Sequence, residues 1–294
     1  MKNSKAFFSV LLSGMLWGII TIFIKNLSRL DVDAMQISLI RMVVAAPLFT
    51  LFLAVKDKSK LKIKLKDLWI FVGTGIVSVV LFNCAYFYTM IKSEASIAVV
   101  LLYTSPVFIM ILSAILFKEK ITVRKLVALA LTFAGCVLVA GLIGGKYQLK
   151  PLILLTGLAS GLFYGLYTIF GRVALKKYDT LTVTVYTFIF GLIGSLFIGK
   201  PVETITEIKA TPEIILWGLG IGFFCTVLPY FFYTWGLQRM ESGKAAIIVA
   251  IEPMVGAVLG MAVYGESVSA FKITGILLIL TAIIILNLPE KSKV

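Results

Sequence analysis

The chain has 294 residues, 60% of them hydrophobic and 14% charged, with a formal net charge of +14. A soluble domain of that length carries a far more charged surface, so composition excludes an ordinary soluble enzyme or binding module. The excess of basic residues does not indicate nucleic acid either, because they sit in short clusters between apolar runs and no aromatic-basic module presents them.

Apolar runs of about 18 to 22 residues, the length that crosses a hydrocarbon core of about 30 Å, recur from end to end. Ten are predicted, at residues 6–24, 34–55, 68–90, 95–117, 124–143, 151–171, 181–199, 213–236, 243–263 and 270–288. They are too long and continuous for the alternating strands of a barrel. The fold class expected is an all-α integral membrane protein of ten transmembrane helices. The first run follows Lys2 and Lys5 but exceeds a signal-peptide core and lacks a small-x-small cleavage site, so it reads as a retained helix. The connections are short, and the most basic, KDKSKLKIKLKD at residues 56–67, carries six lysines. If the N-terminus is cytoplasmic, nineteen Lys and Arg fall on inside segments and eight on outside ones. That bias predicts a multi-pass cell-membrane protein with both termini cytoplasmic.

The chain contains no histidine, and Cys84, Cys136 and Cys225 are scattered through apolar runs. A zinc site, a histidine base and a disulfide framework are thereby excluded, and no metal or cofactor is expected.

An internal repeat organises the sequence. SGMLWGIITIF at 13–23 and SGLFYGLYTIF at 160–170 share six of eleven residues. The same offset of 147 pairs Gly73 with Gly220, Gly75 with Gly222, Glu94 with Glu241, Pro106 with Pro253, Glu119 with Glu266 and Lys125 with Lys272. Residues 1–146 and 147–294 are therefore read as two halves of five spans each. Five is odd, so the second half enters the membrane from the opposite side, an inverted repeat typical of transporters that rock one half against the other.

These features together resemble the EamA branch of the drug/metabolite transporter superfamily. The resemblance rests on the five-plus-five plan, the SG..WG and SG..YG openings, YTSPVF at 103–108, IEPMVG at 251–256, and the KEK and GES ends of segments four and nine. It covers the whole chain. It implies two inverted halves around a central cavity lined by segments one, three, four, six, eight and nine. It also implies secondary transport of small organic solutes, often export of amino acids or related metabolites.

Glu252 is the first candidate for the site. A carboxylate at bilayer depth costs about 2.5 to 3.5 kcal/mol on insertion scales, so it faces a cavity or a partner. It lies about 12 Å from the cytoplasmic end at 1.5 Å per residue. Its role is either substrate or proton handling, or tethering of segment nine to a neighbour. Arg41 lies about 10 Å below the external face by the same rise. Snorkelling outward is the reading its depth favours, with Glu252 or an anionic substrate group as the candidate charge partner.

Ser13, Trp17 and Thr21 share one helical face, and so do Ser160, Tyr164 and Tyr167; Asn83 with Tyr86 and Tyr230 with Tyr233 repeat at i, i+3. With Tyr103 of the YTSPVF motif, these positions are candidates for a substrate cavity holding a flat or zwitterionic solute. The alternative is an interfacial belt, the reading for Trp69 near a span end. Pro106 and Pro253 each remove a backbone donor and are candidate hinges. Gly14, Gly18, Gly161 and Gly165 allow helices to approach closely. Glu119 and Glu266, at loop ends, read as solvated or helix-linking carboxylates.

The function expected is secondary active transport of a small organic solute, an amino acid or related metabolite, across the cytoplasmic membrane by alternating access, in the export direction. A passive facilitator or channel-like pore is the alternative, though no ring of charges exists to line one. The protein is not expected to be an enzyme. Its expected partners are the solute, the lipid bilayer and protons as a candidate coupling ion, without nucleic acid; the oligomeric state is left open.

Overall fold

The computed structural model of the protein describes residues 2–93, 95–143 and 150–288. Glu94, Lys146 in the connection between the halves, and the basic C-terminal cluster from residue 289 lie outside the described residues. Among the described residues there are helices and no strands, and nine helices are long and apolar enough to cross a membrane. They are α1 (Ser4–Arg29), α2 (Ala34–Leu61), α3 (Leu65–Lys92), α4 (Ala95–Phe117), α6 (Pro151–Ala174), α7 (Thr180–Ile198), α8 (Glu213–Leu237), α9 (Ser242–Tyr264) and α10 (Ala270–Asn287). The remaining long helix, α5 (Val123–Val139), has 17 residues and begins with Arg124 and Lys125 in its first turn. Large apolar side chains such as Phe8, Leu51, Ile91, Ile115, Phe197 and Leu216 stand exposed on the outer surface, as lipid-facing positions do. A further helix, Pro201–Ala210, occupies a stretch that reads in the sequence as a loop; Pro201 stands at its start, where a missing N–H costs nothing.

Side-chain caps fix where several helices begin. Thr122 accepts from Lys125 N at 3.3 Å to start α5, and Ser269, 147 residues later, accepts from Lys272 N at 3.2 Å to start α10. Asp179 accepts from Thr182 N at 3.0 Å to start α7. Asp33 and Gln36 form a reciprocal capping box at the start of α2, and Lys200 lies 2.9 Å from the Asp33 carboxylate. Burial opposes the charged form of Asp33, but Lys200 and the N–H groups of Gln36 and Met35 outweigh it and hold its pKa below the usual carboxylate value. The stability it contributes is therefore complete above that usual value and is lost as pH falls through the lowered one. Asp33→Ala is expected to cost about 1 kcal/mol, read as a lower melting temperature at neutral pH, with the difference from wild type vanishing in strong acid.

Two peripheral pairs flank the bundle. In one, α2 packs on α7, with Phe49 stacked on Phe188 at 5.3 Å. In the other, α5 packs on α10, where a Cβ at Gly275 would meet the Gly135 carbonyl at 2.7 Å. Between them stand α1, α3, α4, α6, α8 and α9. Cross-half contacts there run through the matched glycines. Gly14 and Gly18 of α1 press on Val249, Ile251 and Val255 of α9, while Gly161 and Gly165 of α6 press on Leu101, Thr104 and Ile109 of α4.

Backbone irregularities recur at the same offset of 147. The helical run of α4 is interrupted before Ser105 and that of α9 before Glu252, so Pro106 and Pro253 each become the second residue of a new segment. At each of these candidate hinges the helix is fully broken, because a proline fits the first turn of a helix better than its interior. Both segments end on a left-handed residue, Lys118 (φ 56°) and Gly265 (φ 65°). Residues 73–81 of α3 and 223–227 of α8 wind as π-helix, with Ser78 and Thr226 each hydrogen-bonding the carbonyl five residues back. Such widened turns concentrate at functional sites.

Candidate functional site

Beside the α9 break and the π-turn of α3 lies a cavity of about 130 Å3 between the helices. Its walls are Trp17, Ile20 and Ile24 of α1, Arg41 of α2, Val79, Phe82, Asn83, Tyr86 and Phe87 of α3, Leu102 of α4, Tyr164 of α6, Tyr230 of α8 and Glu252 of α9. Ile24 and Phe87 place it towards the end of the bundle opposite the Lys-rich 56–67 connection.

An aromatic floor closes it on the Lys-rich side. Tyr230 meets Trp17 edge-on at 5.1 Å, Tyr167 at 5.1 Å and Phe188 at 4.9 Å. Edge-to-face contacts of this kind add about 0.5 to 1.5 kcal/mol each beyond burial. Two hydroxyls of the floor are already used, Tyr167 with Thr234 at 2.6 Å and Tyr233 with Thr168 at 2.7 Å. Below the floor remains a void of about 20 Å3, bordered by Ser78, Ser105 and Thr168.

Beyond it, polar contacts between the halves seal the Lys-rich end. Lys60 pairs with Asp179 at 2.7 Å, Lys125 with Glu241 at 3.0 Å, and Asp67 with Lys177 and with the Tyr178 hydroxyl. Glu119 accepts from Ser242 N at 2.8 Å and from Gly243 N at 3.2 Å. Glu119 is therefore helix-linking.

Arg41 does not snorkel. It turns inward, where Nε donates to Thr226 Oγ1 at 2.9 Å and Nη2 to the Cys225 carbonyl at 3.4 Å. The local reason is in the sequence: Pro229 has no N–H to return to the carbonyl four residues back, which is that of Cys225. Glu252, the first residue after the α9 break, has the Tyr103 hydroxyl of α4 and the Arg41 charge as neighbours. Among the described residues Arg41 and Glu252 form no ion pair with each other or with any other group. A cation and a carboxylate thus face one aromatic cavity without neutralising each other directly.

Trp17, Asn83, Tyr86, Tyr164, Tyr230, Glu252 and Arg41 all line that cavity, and Tyr167 and Tyr233 lie in its floor. Asn83 is tied to Ser38 of α2 at 2.5 Å. Ser13 and Thr21 are not in the walls: their hydroxyls bond the carbonyls of Val10 and Gly18 within their own helix. Tyr103 sits behind the wall, buried beside Glu252. Pro106 and Pro253 flank the breaks, and Trp69 is exposed on the bundle surface. Sequence reading missed Phe82, Phe87 and Thr226; of these only Thr226 had a signal, being three residues before Pro229. The three cysteines are free.

The model of the EamA-like transporter family matches residues 4–141 and, a second time, residues 151–288. The chain belongs to this family. Relatives of similar length carry transporter names. It is 26% identical to a protein of Archaeoglobus fulgidus called "Uncharacterized transporter", over 94% of each chain. It is 25% identical to "Uncharacterized inner membrane transporter YicL" of Salmonella typhimurium, over 99% of this chain and 98% of that one. A solved structure titled "Crystal structure of protein" superposes with a TM-score of 0.81 at 14% identity, covering 97% of both chains, which supports the fold alone. The protein is a multi-pass membrane transporter of the EamA-like family.

Proposed function

We propose that this EamA-like protein is a secondary active transporter that exports a small zwitterionic solute, an amino acid or related metabolite, by alternating access. The observation that carries the reading is the pairing of Arg41 and Glu252 across one aromatic cavity without an ion pair between them. Unpaired charges in a low-dielectric site are costly, and a ligand bearing both a carboxylate and an ammonium group relieves both at once. Trp17, Phe82, Tyr86, Tyr164 and Tyr230 offer it apolar and π surface.

Ten spans in two inverted halves complete the proposal. The two family matches support it, since their starts and their ends are both 147 residues apart, as do the breaks, left-handed caps and π-turns that recur at that offset. With the positive charge concentrated at one end, the Lys-rich face is assigned to the cytoplasm and both termini with it. The cavity then lies on the external side of the aromatic floor, an outward-facing arrangement. A channel-like facilitator is disfavoured by the contacts that seal the Lys-rich end.

A thermal-shift screen of the purified protein tests the substrate class. Zwitterionic amino acids are expected to raise the melting temperature where sugars, nucleosides and simple carboxylic acids do not. Stabilisation by uncharged sugars alone would refute the assignment.

A further inference from the structure

Glu119, Lys125 and Arg172 make one constellation at the Lys-rich end, and their counterparts 147 residues away, Glu266, Lys272 and Lys25, make another at the opposite end. The two sets hold different partners. In the first, Glu119 caps the N-terminus of α9 through Ser242 N and Gly243 N. Lys125 reaches Glu241 at 3.0 Å, and Arg172 donates to the carbonyls of Leu237 at the end of α8 (2.5 Å) and of Met240 just beyond it (2.6 Å). The carboxylate and the lysine thus bind the other half. In the second set, the carboxylate holds lysines rather than a helix end: Glu266 accepts from Lys25 of the other half at 3.4 Å and from Lys272 of its own half at 3.2 Å. Lys25 also lies over the Tyr264 ring at 3.7 Å. The position equivalent to Ser242 and Gly243 is the start of α4, at Ala95 and Ser96, and Glu266 makes no hydrogen bond to either.

We propose that these are two copies of one latch, seated in turn: Glu119 on the start of α9 when the Lys-rich end is closed, and Glu266 on the start of α4 when the opposite end is closed. This rests on the alternating-access reading. A carboxylate gains two charge-assisted hydrogen bonds and the favourable end of a helix dipole when it seats. When it leaves, the lysine and arginine counterparts of its own end neutralise it, as Lys25 and Lys272 do for Glu266. Each half therefore carries a bistable carboxylate, and the rigid-body exchange swaps which of the two is on a helix end.

Peptide-resolved amide exchange on the full-length protein tests this at both ends at once. Glu119→Gln is expected to speed exchange over residues 242–249 and to slow it over 95–102, each by about fivefold or more, the lower end of typical coupling between two sites. The double variant Glu119→Gln/Glu266→Gln is expected to return 95–102 to the wild-type rate. A simple helix cap gives the first change without the second, and that result would overturn the latch. If Glu119→Gln raises exchange everywhere through unfolding, Glu119→Asp is read by the same two-ended criterion. Alternating access and the latch fail separately. Wild-type protein whose two ends never exchange protection, with amino acids present, contradicts both; two populations whose balance Glu119→Gln leaves untouched contradict the latch alone.

Discussion

Replacing Glu252 by glutamine is expected to leave a folded protein that transports about ten- to a hundredfold more slowly, with a flattened dependence on pH. Glutamine keeps the shape of the side chain and its contact with Tyr103 but removes the charge. Loss of a charged hydrogen bond in a shielded site costs about 1.5 to 3 kcal/mol, which converts to that range of rates or affinities. Glu252 begins the second segment of α9, directly after the break, so a charge change there acts where the helix is interrupted. Its counterpart in the first half is Ser105, so the broken helix is common to both halves and the carboxylate belongs to one. Initial rates in proteoliposomes across a pH series decide the matter. A variant with the wild-type rate and the wild-type pH profile would remove Glu252 from both substrate and proton handling.

The second large effect is expected at Arg41. Arg41→Ala should weaken binding of a carboxylate-bearing solute by about ten- to a hundredfold, on the same conversion. Arg41→Lys should recover little of this. The guanidinium divides its donors between Thr226 and the Cys225 carbonyl while still facing the cavity, a geometry that a single ammonium does not reproduce. Thermal shift against a zwitterionic amino acid and its decarboxylated amine separates the roles: the wild type should prefer the amino acid, and Arg41→Ala should lose that preference. Equal stabilisation of Arg41→Ala and wild type by the amino acid would show that the charge serves packing against α8 alone.

Much of this architecture was legible in the sequence because membrane helices write themselves plainly. Apolar runs of spanning length place the nine helices long enough to cross a membrane to within about six residues at each end, and the offset of 147 that links Pro106 to Pro253 links the breaks as well. Polar groups in apolar runs were informative for the same reason: Trp17, Asn83, Tyr164, Tyr230 and Glu252 all reached the cavity wall. What the sequence left open was direction. Ser13 and Thr21 share a face with Trp17, yet their hydroxyls satisfy carbonyls of their own helix, a local alternative open to any Ser or Thr. Depth alone favoured snorkelling for Arg41; its actual partners lie on α8, 185 residues away, on a π-turn that no periodicity announces. The helix Pro201–Ala210 was missed because ten residues of mixed polarity carry no spanning signal. Phe82 and Phe87 look like any lipid-facing aromatic until the packing of α3 turns them inward.

Solute accumulation in proteoliposomes loaded with the amino acid that gives the strongest thermal shift, under an imposed pH gradient, is the most direct test of coupled transport. Coupled alternating access predicts that the solute is driven above its concentration on the opposite side, that a protonophore collapses the difference, and that Glu252→Gln only equilibrates or does not transport. Flux that runs to equal concentrations in the wild type, at a rate indifferent to the gradient, would contradict it.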